Sequence, residues 1–137
     1  MRYIHDMYTS KGKKLDVEFL FVDLGGSKGW RAYILSGIDY HRYSAFRSDA
    51  QIDVHRLTEK DDYMVSLVNR FKMNNPPIDA RLTRSEDVEY MCWTKAVYDI
   101  DTLLNIASVW VDITAYYIQN GGSFEQIQKK LTRHGVI

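Results

Sequence analysis

Residues 103–118 constrain this fold more than any other stretch of the chain. Leu103, Ile106, Ala107, Trp110, Ile113 and Tyr117 recur at helical spacing and form one apolar stripe; Leu104, Val111, Ala115 and Ile118 form a second. A helix that is apolar on two flanks belongs in a core, with a sheet against one side and another element against the other. Asp99 or Asp101 can cap its start, and Gly121 with Gly122 supplies a left-handed stop after Asn120. Such a rod needs a platform.

The first half of the chain supplies one. Residues 15–24 are β-branched and aromatic-rich, with Leu15, Val17, Phe19 and Phe21 on one face. The other face begins with Asp16 and Glu18 and turns apolar at Leu20 and Val22, which predicts cover on both sides by the strand's end. The glycine-rich turn GGSKG leads into a second strand over 30–38, giving a hairpin. Residues 3–9 predict a strand across a polar turn. Residues 51–57 alternate Ile52 and Val54 against Asp53 and His55, and residues 86–93 return to the sheet as its last strand.

At Thr58 the period changes. Thr58 with Asp61 resembles a capping box, and Met64, Leu67, Val68 and Phe71 fall on one helical face, predicting a helix over 59–72 that ends before Pro76 and Pro77. A last helix opens at Ser123, with Gln126 three residues on. Strands followed by helices indicate an α+β fold. The expectation is one domain over residues 1–137: an antiparallel sheet of four to five strands, with a long C-terminal core helix and two further helices packed on one face.

Composition narrows the functional classes. The chain has 137 residues, 45% apolar and 26% charged, which suits one globular domain. Lys plus Arg and Asp plus Glu number 18 each, so the net charge is zero. A duplex-DNA binder generally carries a basic excess, so duplex DNA is not an expected partner. Near-neutrality also gives little repulsion between copies. The single cysteine, Cys92, forms no intrachain disulfide, and a reducing cytoplasm is the default compartment. The N-terminus lacks a signal-peptide core, and no apolar run approaches the ~20 residues that span a bilayer.

Few residues combine into a chemistry. Cys92 is the candidate nucleophile, but it lies in an apolar strand, where a lone cysteine is usually a small buried hydrophobe. His5, His41, His55 and His134 lack the paired spacing of a zinc site and read as solvated surface groups; no metal or cofactor is expected. Asp61–Asp62 and Glu86–Asp87 sit at predicted element ends, where capping accounts for them. The GGSKG turn joins two strands, whereas a phosphate loop leads into a helix. The most suggestive segment interleaves Tyr40, His41, Tyr43 and Phe46 with Arg42 and Arg47. Aromatic faces stack on bases and guanidiniums fork onto phosphates or carboxylates, so these residues suit a nucleotide, a single-stranded nucleic acid or an acidic protein partner.

The order of sheet, Pro76–Pro77, a short strand holding Cys92 and then terminal helices is similar to that of the ubiquitin-conjugating enzymes. The resemblance implies thioester or acyl-transfer chemistry at Cys92; the His-Pro-Asn sequence of that family is absent upstream. Because no catalytic spacing emerges from the residues themselves, the sequence favours a small cytoplasmic binding or adaptor protein, not an enzyme. The two-flanked helix further suggests a homodimer or higher oligomer, its second flank buried by a sister subunit.

Overall fold

The computed structural model describes residues 2–9, 16–37, 56–78, 84–91 and 96–120. It is an α+β architecture built on a five-stranded antiparallel sheet. The strands are β1 (Tyr3–Thr9), β2 (Asp16–Asp23), β3 (Trp30–Ser36), β4 (Arg56–Thr58) and β5 (Arg84–Met91), and the helices α1 (Asp62–Asn74) and α2 (Ile100–Asn120). Spatial order is β1-β2-β3-β5-β4, so β5 inserts between β3 and β4 instead of closing one side. Burial explains the order. Val88 and Met91 of β5 are buried on opposite faces, whereas Leu57 and Thr58 of β4 are exposed. A strand wet on its faces takes the edge.

Alternation along β2 and β3 divides the core in two. Val17, Phe19, Phe21, Trp30, Ala32 and Ile34 pack with Leu103, Ala107, Trp110, Val111 and Ile113 of α2. Leu20, Val22, Tyr33 and Leu35 pack with Met64 and Val68 of α1. In place of three helices on one face, the described residues hold two, one on each face. The reason is the two-sided apolar character of β2, whose residues 17–22 are all buried, because each face then needs its own cover. The helix expected from Ser123 lies outside the described residues.

Of the second apolar stripe of α2, Val111 and Ala115 are buried in the core cluster of their own chain, and Leu104 is partly buried against it.

Helix starts follow from local hydrogen bonds. The Asp61 carboxylate accepts from the backbone N–H groups of Tyr63 and Met64, so the cap of α1 is Asp61 and not Thr58. Thr58 is still paired with Glu89, and the Glu59 N–H donates to the Val88 carbonyl at 2.8 Å, which holds the chain extended up to the cap. At α2, the N–H and hydroxyl of Thr102 donate to the Asp99 carboxylate and hold its pKa below the ordinary range.

One buried hydroxyl runs against the packing. Thr114 of α2 is fully buried, and its Oγ1 has no hydrogen-bond partner among the described residues. Thr114→Val keeps the shape and removes the desolvated hydroxyl, so it should raise the unfolding free energy by about 1 kcal/mol. Urea denaturation checks this; a loss of stability would show that the hydroxyl is satisfied.

Candidate functional site

The strand β1 presents the described surface best suited to recognition. Its register against β2 pairs Tyr3 with Val22 through Thr9 with Asp16. Just before it, the Asp23 N–H donates to the Arg2 carbonyl at 3.0 Å, which makes Arg2–Asp23 a hydrogen-bonded pair. Pair types alternate along an antiparallel ladder, so Ile4, Asp6 and Tyr8 bond to β2, while the peptide groups of Tyr3, His5, Met7 and Thr9 point the other way. On the far side of β2 the Leu24 N–H donates to Gly29, which commits the even-numbered residues of β2 to β3 and leaves the odd-numbered ones for β1. The two ladders agree. Among the described residues, β1 has a neighbour on one side only.

This edge is held from both faces. Toward α2, the Arg2 guanidinium lies 5.0 Å over the Trp30 ring, and Tyr8 meets Phe19 edge-on at 5.7 Å. Burial, with help from the Asp6 charge, pushes the Tyr8 phenol up to about 12. Toward α1, His5 Nε2 lies 2.5 Å from Glu18 Oε2, and the ring packs edge-on against Phe71. His5 is therefore a paired, three-quarters-buried group at 26% exposure, which corrects its reading as a solvated histidine.

Glu18 anchors the edge. At 2% exposure its carboxylate also accepts the Ile78 N–H at 2.9 Å and lies 3.0 Å from Arg84 Nη1, an ion pair that lacks hydrogen-bond alignment. Its own N–H donates to Ser36 Oγ. Arg84 Nη2 donates to the Asn75 carbonyl at the end of α1. One buried carboxylate thus ties β1, β2, β5 and the α1–β5 connection together. Tyr3 and Ile78 remain exposed, at 47% and 59%.

Two other polar groupings are structural. Glu59 Oε2 accepts from the Tyr33 hydroxyl at 2.5 Å and from Arg31 at 2.6 Å, and Oε1 accepts the N–H groups of Lys60 and Asp61. Arg31 stacks 4.2 Å over Tyr90. Both carboxylate oxygens are occupied, so the cluster clasps β3 to the start of α1 and offers no open position for proton transfer. Burial, joined by the Glu59 contact, drives the Tyr33 hydroxyl pKa upward.

Burial alone would also raise the Glu59 pKa, but the Tyr33 hydroxyl, the Asp61 N–H and Arg31 outweigh it, and the pKa falls below its ordinary 4.5. The unfolded chain then takes up the proton first on acidification. The stability Glu59 supplies is present above 4.5 and lost as pH falls through the lower folded value. Glu59→Gln should flatten this acid limb in unfolding measurements across pH; an unchanged slope would assign it to other groups.

The second grouping is Lys72. The β3–β5 register shifts between Ile34 and Ser36, and near this irregularity Lys72 Nζ donates to the carbonyls of Ser85 and Asp87 at 3.0 Å and to Ser85 Oγ at 3.1 Å. The ammonium supplies donors that a regular ladder would have provided. Burial, reinforced by Arg84, lowers its pKa.

The residues singled out from sequence, Tyr40, His41, Arg42, Tyr43, Phe46, Arg47 and Cys92, lie outside the described residues. Among the described residues no group of His, Cys, Asp and Glu is arranged to hold a metal, and no helix is long and apolar enough to cross a membrane. The Glu18 cluster escaped the sequence reading, although a signal was there: Glu18 shares a face with Leu20 and Val22. Compared with protein-family models, curated proteins and solved structures, the chain matches none.

Proposed function

We propose that this chain is a small binding or adaptor protein that works by surface contact, and that it takes an extended partner segment alongside β1. The observation that carries this is the ladder alternation, which turns the peptide groups of Tyr3, His5, Met7 and Thr9 outward along a seven-residue strand. Main-chain groups of this kind supply affinity when a strand is added to a sheet edge. Anchoring from both faces means little ordering cost on binding, which favours affinity. The internal carboxylates Glu18 and Glu59 are fully engaged in holding the fold.

Met7→Pro tests the reading. Proline removes an outward N–H and leaves the β1–β2 bonds in place, as at natural edge strands. Partner proteins retained by the immobilised wild-type chain should be lost from the variant at unchanged Tm; undiminished retention overturns the edge assignment. Thiol titration addresses the catalytic alternative. Inertness of Cys92 until unfolding agrees with a binding protein, whereas ready modification in the native state at neutral pH favours acyl transfer.

A further inference from the structure

We propose that the segment received by β1 is the β1 strand of a second copy, paired antiparallel about a two-fold axis at Asp6, so that two five-stranded sheets become one. This rests on reading β1 as a docking edge and goes beyond it by naming the occupant. The hydrogen-bond phase of β1 restricts the choice of register. Only Tyr3, His5, Met7 and Thr9 offer outward N–H and C=O groups, so each must face another member of the same set.

Centring the pairing on Asp6 sets Tyr3 opposite Thr9 and His5 opposite Met7, in both directions. All four outward residues of each copy are then used, giving about eight interchain hydrogen bonds at two per facing pair. Shifting the centre to His5 or Met7 strands one outward residue at an end and leaves about six.

Side chains on the α2 face favour the same centre. Ile4 then lies across from Tyr8 of the other copy, and Tyr8 across from Ile4. Both residues are half-buried against the α2-side core of their own chain. Their pairing across the axis joins the two cores, and aromatic–β-branched neighbours are favourable cross-strand pairs. Zero net charge adds no general repulsion between copies. The cost is local: the two Asp6 residues meet at the axis, and like charges directly opposite are destabilising. A heterologous peptide would escape that cost, but it would have to reproduce the alternation that this strand already carries.

Four variants read by sedimentation and crosslinking test the proposal. The wild-type chain should show a monomer–dimer equilibrium between micromolar and millimolar concentration. Asp6→Asn should tighten it several-fold by removing the facing charges. Met7→Pro should weaken it by about tenfold or more, because it deletes two interchain hydrogen bonds. In a Cys92→Ser background, Asp6→Cys should oxidise to a covalent dimer, because facing residues in a non-hydrogen-bonded pair stand about 4.5 Å apart at Cα, within disulfide reach. Tyr8→Cys, four residues from its own copy's equivalent, should not.

Monomer at every concentration overturns the second-copy assignment. If Met7→Pro still abolishes partner retention in that case, the docking edge itself stands. A dimer indifferent to Met7→Pro and not crosslinked by Asp6→Cys overturns the proposal and places the interface on another surface.

Discussion

Glu18→Ala should lower the unfolding free energy by roughly 3–5 kcal/mol, the usual loss when one partner of a buried ion pair is removed. The substitution leaves Arg84, 14% exposed, without its carboxylate, and strips His5 and the Ile78 N–H of their acceptor. Four segments lose a shared anchor in one step. The loss should be visible as a lower urea midpoint, with β1 amides exchanging faster than those of β3. Replacing both charges with Glu18→Met and Arg84→Met should recover a good part of the loss, because a buried pair is costly to break but not to replace with packed apolar groups. A cost below about 1 kcal/mol for Glu18→Ala would mean that water reaches the cluster, since exposed pairs contribute little.

Gly29→Ala should be comparably damaging, for a steric reason. Gly29 has φ +70°, and a Cβ built there would lie 2.3 Å from the Val97 carbonyl oxygen. That oxygen accepts the Trp30 N–H at 2.7 Å, so it cannot move aside without breaking the bond that seats the β2–β3 turn against the approach to α2. The Tyr98 hydroxyl, donating to the Ser27 carbonyl, fixes the same contact. Left-handed strain alone costs about 1–2 kcal/mol, and the clash should bring the total to roughly 3 kcal/mol or more. Gly25→Ala is the matched control: φ is +82°, but nothing lies within 4 Å of its Cβ, so only the strain remains. Equal losses at the two positions would refute the Val97 contact.

Much of the sheet is readable from side-chain type. The aromatic and β-branched run at 17–22 is buried on both faces, and the strand expected over 3–9 is Tyr3–Thr9. What the sequence did not carry is the neighbour of each strand. The insertion of β5 between β3 and β4 depends on which strands are dry on both faces, and so do the helix positions on opposite sides. Neither follows from local periodicity. The start of α1 moved from Thr58 to Asp61 because a ladder bond from Glu59 to Val88 outlasts the local capping preference. Glu18 was legible as an acid on a face that turns apolar, yet its partners His5, Ile78 and Arg84 lie 13, 60 and 66 residues away, and only the fold brings them together. The GGSKG glycines read as turn residues, and Val97 adds the reason the third one has to be glycine.

Amide hydrogen exchange along β1, followed at two protein concentrations, tests the outward-facing edge most directly. In dilute solution the Ile4, Asp6 and Tyr8 amides should be protected, and those of His5 and Met7 should exchange nearly as fast as free chain. At high concentration His5 and Met7 should gain protection as copies pair. Equal protection of all five amides in dilute solution would contradict the open edge, and fast exchange of His5 and Met7 at every concentration would contradict its pairing with a second copy.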